Sequence, residues 1–222
     1  MLLKSYCETF FSRIPHDVKN LLAFPGYNTD DSEMIKEDAF YSNKFSSRNV
    51  VTFDWINKDI PGFLFDYIYT KMTANSQVSR IGHWIYLNEE RLNGCSVCCH
   101  SMGSHVFLNA LKSIKGNSKI SFEHVFIYAG DVRSDFFELN PKVRAMIKKL
   151  HVFYNRSDAA LVGSTVMNLH ARLGEHACKQ ATTNVDCHGF AHLWDSKGHG
   201  YFSDDNGGNE SPVMKIIKGI LI

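Results

Sequence analysis

The sequence predicts an α/β protein whose mostly parallel β-sheet is flanked by helices on both faces. Short segments that are almost continuously apolar, such as 94–99 and 125–129, have the length and composition of buried strands. Longer stretches lie between them, in which apolar residues recur every three or four positions as they do in amphipathic helices. Apolar strands that alternate with helices are typical of parallel sheets covered on both sides.

The size and composition of the chain narrow the possible classes of protein. With 222 residues, 44% of them hydrophobic, the chain suits one sizeable core, and we expect a single domain over residues 1–222. The net charge of +1 gives no basic field, so we expect no nucleic-acid partner. No segment has the apolar length of a transmembrane span or a secretory signal, and the six cysteines form no dense disulfide pattern. We therefore expect a cytoplasmic protein with reduced thiols and no transmembrane segment.

The N-terminal half of the chain is expected to begin with two strands. The apolar run 18–24 ends at Pro25-Gly26, which suits a buried strand followed by a loop. Polar residues at 30–32 favour the start of a helix that continues to about residue 41. The β-branched and aromatic residues of 49–55 predict the second strand.

The rest of the chain continues this alternation. A helical pattern covers 61–91, although the polar residues 73–77 favour an interruption. The next predicted elements are strand 94–99, helix 102–114, strand 125–129, a helical stretch through Lys149, strand 150–154, helix 159–171 and strand 183–190. Ser211-Pro212 is typical of an N-cap and first helical position, and it predicts a C-terminal helix.

The most informative feature is the sharp transition from strand 94–99 into the following helix, at Cys99-His100-Ser101-Met102-Gly103. Such a turn is typical of a nucleophile elbow, in which the serine Oγ stands exposed above the sheet edge. The N–H of the next residue, Met102, is then available at the helix start to stabilise an oxyanion. The usual pattern is Gly-x-Ser-x-Gly, so Cys99 is a departure that its small side chain allows.

Acyl transfer by a serine also requires a histidine base, a carboxylate that orients the histidine, and a second oxyanion donor. The carboxyl ends of parallel strands meet at one edge of the sheet, where ligands bind. At predicted strand ends the chain offers Tyr27 as the second donor, Asp131 and Asp158 as carboxylates, and His188, His192 and His199 as bases. The order serine, aspartate, histidine is that of α/β-hydrolases.

Six motifs in succession carry a closer resemblance. They are Phe24-Pro25-Gly26-Tyr27-Asn28, Phe53-Asp54-Trp55, His100-Ser101-Met102-Gly103, Ala129-Gly130-Asp131-Val132, Tyr154-Asn155-Arg156-Ser157-Asp158-Ala159-Ala160-Leu161 and Gly198-His199-Gly200-Tyr201-Phe202. This series resembles the α/β-hydrolase family of unknown function called DUF900. The resemblance implies the compact α/β-hydrolase fold, with Ser101 as nucleophile, Asp158 as acid and His199 as base. Where the family motif usually has histidine, this chain has Pro25.

Each of these assignments has an alternative. Ser101 and Asp158 are also favourable helix N-caps. Asp131 is the alternative acid, because some hydrolases place the acid one strand earlier, and His188 and His192 are the alternative bases.

Metal binding is the other chemistry that cysteines and histidines suggest. Cys95 and Cys98 have metal-ligand spacing, but side chains three apart in a strand point to opposite faces. We therefore expect neither a metal nor a cofactor.

The sequence thus predicts a serine hydrolase that cleaves a small carboxylic ester or related acyl compound through an acyl-enzyme. Amide, thioester and acyl-transfer chemistry use the same triad. An alternative of another class is a catalytically weak or inactive scaffold that binds a ligand or a protein, which Pro25 and Cys99 favour. The segment 56–75 is the candidate cap over the site, and its aromatic residues suit either an acyl group or a core-facing helix.

Overall fold

A computed structural model describes residues 20–26, 39–53, 63–176, 184–189, 199 and 210–221. The strands are β1 (Asn20–Phe24), β2 (Asn49–Thr52), β3 (Ser96–His100), β4 (Phe122–Tyr128), β5 (Ile147–Tyr154) and β6 (Val185–Gly189). The helices are α1 (Phe63–Leu87), α2 (Glu89–Leu92), α3 (Met102–Ser113), α4 (Phe136–Leu139), α5 (Pro141–Ala145), α6 (Ala159–Asn168) and α7 (Pro212–Leu221). Residues 39–44 are helical as well.

The six strands form one parallel sheet in the order β2-β1-β3-β4-β5-β6. The chain moves outward from β1 to β2 and then returns to the other side of β1 as β3. The strand order therefore reverses between β1 and β3, and in open parallel sheets this reversal creates the crevice in which ligands bind. The carboxyl ends of these two strands carry Pro25-Gly26 and Ser101.

Both faces of the sheet are covered, as the sequence predicts. On one face, strand residues such as Phe24 and Val97 pack with Ile81 of α1 and Phe107 of α3. On the other face, Leu21, Cys98 and Phe126 pack with Met214 and Ile217 of α7. Successive residues of a strand point to opposite faces, so strands buried on both sides must be apolar throughout. The prediction of an α/β fold with a mostly parallel sheet is confirmed.

Helix α1 runs without a break from Phe63 to Leu87, so the predicted interruption at 73–77 does not occur. Within that polar segment, Ala74 is fully buried in the core, while Asn75 and Ser76 are exposed. The apolar stripe therefore continues through the polar residues. In the described part of the candidate cap, Tyr67 and Ala74 lie in the core, whereas Tyr69 is 42% exposed, so this segment faces the core on one side only.

Strands β4 and β5 begin three residues earlier than the sequence indicates. The helical stretch predicted to reach Lys149 ends at Ala145, and β5 begins at Ile147. Ile147 and Leu150 are buried, and the exposed ends of the two lysines between them bind Glu123 and Asp186 of the neighbouring strands. The lysine pair resembles a helix surface in sequence, but here it forms ion pairs across the sheet.

Within the described ranges, none of the helices has the combination of length and apolar character that crossing a membrane requires.

Candidate active site

The turn between β3 and α3 holds Ser101 in an unusual backbone conformation. Its φ is 46° and its ψ is −121°, in a region that residues with a side chain seldom adopt. The carbonyl of Ser101 accepts hydrogen bonds from the N–H groups of Ser104 and Asp131, and its N–H donates to the carbonyl of Tyr128. The turn is therefore tied to the end of β4 as well as to α3. This is the strained strand-to-helix turn expected of a nucleophile elbow.

Two glycines allow neighbouring backbone to approach this turn. A Cβ on Gly103 would lie 2.2 Å from the carbonyl oxygen of Phe24 and 2.3 Å from that of Pro25. A Cβ on Gly26 would lie 2.5 Å from Nδ1 of His100. The loop after β1 therefore contacts the elbow directly. At the first small position of the motif, Cys99 is fully buried in the core, where its side chain has room.

Asp158, His199 and Ser101 form a continuous chain of hydrogen-bonding groups. The Nε2 atom of His199 lies 3.1 Å from Oγ of Ser101, and its Nδ1 atom lies 2.8 Å from Oδ2 and 3.0 Å from Oδ1 of Asp158. Asp158 is completely buried, Ser101 is 5% exposed, and the side chain of His199 is 23% exposed. The carboxylate is shielded from water while the imidazole remains accessible. These distances allow a proton to pass from serine to histidine.

Asp158 has two roles in the fold that the sequence presents as alternatives. It is the N-cap of α6, and its Oδ1 accepts a hydrogen bond of 3.0 Å from the N–H of Leu161. Its carboxylate also contacts His199. Capping therefore fixes the carboxylate in the position from which it orients the imidazole.

The structure describes one of the two residues predicted as oxyanion donors. Met102 is the first residue of α3, where backbone N–H groups have no partner within the helix. Its side chain is 1% exposed. Tyr27 lies outside the described residues, and Gly26 just before it borders the elbow.

Asp131, the alternative acid, belongs to a buried polar cluster. Its carboxylate accepts hydrogen bonds from the hydroxyl groups of Tyr67, at 2.9 Å, and Ser164, at 2.5 Å. It also pairs with Nε of Arg172 at 3.2 Å, and both side chains are about 5% exposed or less. Burial and the nearby Asp131 carboxylate raise the pKa of Tyr67 to about 12, so Tyr67 keeps its proton and donates it. The Asp131 carboxylate therefore binds three buried side chains and has a structural role.

Of the two alternative bases, the structure describes His188, which lies three strands away from the strand that leads to Ser101. His188 lies in β6, with its ring stacked on Phe153 at 4.8 Å, and His192 lies outside the described residues. His100, next to Ser101, is buried, and its ring centroid lies 5.1 Å from that of His199. Burial, and to a lesser degree the proximity of His199, lowers the pKa of His100 well below its ordinary value. His100 is therefore a neutral packing partner of the site.

The residues that sequence reasoning missed are those that hold Asp131. Tyr67 is 64 positions away from Asp131, and Arg172 is 41 positions away. No local pattern marks such pairs. The sequence contains one signal: Asp131 follows a buried strand closely, and burying a carboxylate without a partner there would destabilise the fold. This position implies that partners exist, but not which residues they are.

Comparison with known proteins identifies the family of this chain. A family model described as "Alpha/beta hydrolase of unknown function (DUF900)" matches residues 8–201. A crystal structure described as "Putative hydrolase from Agrobacterium vitis S4" is similar, with a TM-score of 0.49 and 9% sequence identity over 94% of this chain and 88% of that chain. No curated protein sequence matches significantly. Since the family match spans most of the chain, the protein belongs to DUF900, an α/β-hydrolase family of unknown function.

Proposed function

We propose that the protein is a serine hydrolase that cleaves a carboxylic ester or related acyl bond. The observation that carries this proposal is the chain of contacts from Asp158 through His199 to Ser101, with 2.8 Å and 3.1 Å between the reacting atoms. The strained conformation of Ser101 supports it, because a capping serine has no need of a positive φ.

The mechanism begins when the substrate carbonyl lies against the elbow. Nε2 of His199 takes the proton of Ser101 as Oγ forms a bond to the carbonyl carbon. Asp158 accepts a hydrogen bond from Nδ1–H of His199 and stabilises the imidazolium that forms. The N–H groups of Met102 and Tyr27 donate to the oxyanion of the tetrahedral intermediate.

Collapse of this intermediate breaks the bond to the leaving group, which takes the proton from His199. The product of this half-reaction is an acyl ester on Ser101. Water then attacks the acyl carbon while His199 removes its proton, and a second collapse releases the acid and restores the serine hydroxyl.

The contact between Ser101 and His199 favours an enzyme over an inactive scaffold. A scaffold that keeps only the fold has no need of an imidazole at 3.1 Å from a serine, with a buried carboxylate behind it. The departure at Cys99 is accommodated in the core, so it does not argue for loss of activity.

A fluorophosphonate probe tests the nucleophile. We expect one label per chain on Ser101, loss of labelling in Ser101→Ala, and full labelling in the matched control Ser79→Ala, whose serine is exposed on α1. Folding of each variant is checked by circular dichroism. Equal labelling of folded wild type and Ser101→Ala would refute the proposal.

A panel of substrates then defines the acyl bond. p-Nitrophenyl esters of graded chain length, with matched thioesters and anilides, are compared by kcat/KM. We expect the oxygen esters to be the best class. Turnover that persists in Ser101→Ala would assign the activity to another group.

A further inference from the structure

A cluster of two histidines and an aspartate lies on the last two strands of the sheet. His151 of β5 pairs in register with Asp186 of β6, and His188 follows two positions later in β6. Residues two apart in a strand point to the same face. One ligand atom from each of these three side chains lies within 4.8 Å of the others.

We propose that His151, Asp186 and His188 form a binding site for a divalent transition metal, with Zn²⁺ as the best-suited ion. Two imidazoles and one carboxylate are a ligand set that zinc accepts, together with water at the fourth position. This cluster involves neither of the cysteines Cys95 and Cys98 considered from the sequence, which lie in opposite core clusters.

The spacing of the ligand atoms supports the site. Nδ1 of His151 lies 3.4 Å from Oδ2 of Asp186. Two ligands at about 2.0–2.1 Å from a tetrahedral ion are separated by roughly 3.3–3.4 Å. This pair therefore already has the separation that zinc requires, and His188 needs only a small side-chain movement to complete the set.

Two buried imidazole nitrogens of the cluster make no hydrogen bond with the described residues, although one of them lies near the Asp186 carboxylate. Nδ1 of His151 and Nε2 of His188 are buried and accept or donate no hydrogen bond within the part of the chain that the structure describes. The side chain of His151 is 1% exposed, so water does not compensate it. Buried polar atoms are almost always satisfied, and a bound cation would satisfy these nitrogens.

His124 holds the ring of His151 in the orientation that a ligand needs. Its Nδ1 atom lies 3.1 Å from Nε2 of His151. When Nε2–H of His151 donates to His124, the lone pair of Nδ1 points toward Asp186. Metal-binding histidines commonly donate their second ring N–H in this way.

The charged side chains around the cluster allow a cation to bind. The side chain of Asp186 is 41% exposed, which gives an ion access. Lys149 pairs with the same carboxylate oxygen at 3.2 Å, and we expect an incoming cation to displace this half-exposed amine.

The site would join the edge strand β6 to β5. A metal ion bound between these two strands stabilises the folded state relative to the unfolded chain. Binding should therefore raise the melting temperature, and the rise should increase with the logarithm of the free metal concentration once that concentration exceeds the Kd.

The test uses the full chain after EDTA treatment and buffer exchange, titrated with Co²⁺ as a spectroscopic probe and then with Zn²⁺ in competition. We expect one Co²⁺ ion to bind per chain and to show the visible d–d absorption bands of an ion coordinated by protein ligands. Zn²⁺ should displace the bound Co²⁺ completely. His188→Gln and Asp186→Asn should each weaken binding by at least tenfold. His124→Gln should weaken it less, because His124 contacts only the second nitrogen of His151.

Two controls locate the ion. His83→Gln removes an exposed histidine of α1, and His199→Gln removes the proposed base, and both should keep wild-type affinity. The partly exposed Asp186 gives a variant that is expected to fold even if His188→Gln does not. Absence of stoichiometric binding, or unchanged affinity in folded Asp186→Asn, would overturn the proposal. So would loss of the site in His199→Gln alone.

Discussion

At the scale of single residues, the two buried carboxylates at the strand ends should respond differently to the same substitution. Asp158→Asn keeps an oxygen that can cap α6 but removes the charge that orients and stabilises His199. We expect kcat to fall by about 10³–10⁴-fold with little change in KM. Steady-state kinetics on the best ester, with the melting temperature measured in parallel, checks this. A kcat within tenfold of wild type would remove Asp158 from the mechanism.

Asp131→Asn should instead reduce stability. The change leaves the guanidinium of Arg172 buried without its ion-pair partner. Breaking a buried pair in this way costs about 3–5 kcal/mol of the free energy of unfolding. Urea denaturation measures this, with Asp135→Asn as the control, since the ion pair of Asp135 with Arg133 is open to solvent and should contribute little to stability. If kcat of folded Asp131→Asn falls as far as that of Asp158→Asn, the assignment of the acid is wrong.

The thiols of β3 and of Cys95 just before it should be inert in the folded protein. Burial raises the pKa of Cys95 to about 11 and that of Cys99 well above its ordinary value, and Cys98 is affected in the same way. Only the thiolate reacts with iodoacetamide. Peptide mass analysis after labelling at pH 8 should therefore find these three cysteines modified only when urea is present. Modification without urea would mean that β3 opens readily.

At the scale of elements, the approach of α3 to the loop after β1 can be tested with one methyl group. In Gly103→Ala the new Cβ meets two backbone carbonyl oxygens, which cannot rotate away as a side chain would. We expect a loss of about 1–3 kcal/mol in the free energy of unfolding. Displacement of Ser101 should also lower kcat/KM by about 10²-fold.

The matched control for this change is Gly219→Ala in α7. Gly219 is exposed, and its added Cβ meets no atom within 4 Å. Alanine is a better helix former than glycine, so this variant should gain about 0.5 kcal/mol at unchanged activity. A Gly103→Ala protein that is as stable and active as wild type would show that the loop after β1 does not need to contact the elbow.

The elements themselves were predictable where one physical signal dominates. The consecutive residues 21–24 of β1 and 97–99 of β3 are all apolar because both faces of these strands are buried, and this gives a clear sequence pattern. The signal weakens at strand ends that reach solvent, which is why Lys148 and Lys149 of β5 resembled a helix. The continuity of α1 depends on Ala74, a small residue whose burial is visible only once the helix is packed on the sheet.

At the scale of the whole molecule, the parallel sheet explains how much of the site could be predicted. The six described strands run in one direction, so Ser101 and Asp158, which follow β3 and β5, lie at the same edge of the sheet, where β6 also ends. The common strand direction does not specify which polar side chains contact each other. The partners of Asp131, and the imidazole pair His124 and His151 on the other strands, come together only through register and packing.

The buried histidine beside the nucleophile should make the whole fold sensitive to acid. Burial lowers the pKa of His100 well below its ordinary value of about 6.5. The unfolded chain therefore binds a proton between pH 6.5 and the lower folded pKa, while the folded protein does not. By linkage, the free energy of unfolding falls as the pH decreases through this window, and one such histidine contributes a slope of up to about 1.4 kcal/mol per pH unit.

Urea denaturation of metal-free protein at pH 7.5, 6.5, 5.5 and 4.5 measures this slope. In His100→Asn, which cannot take up the proton, the slope between pH 6.5 and 4.5 should be smaller, although stability at pH 7.5 should be lower because packing against Tyr128 is lost. The exposed His83→Gln variant is the control, and it should retain the slope of wild type. A slope that is the same in all three proteins would mean that His100 is protonated without unfolding, and that the environment beside Ser101 is open to water.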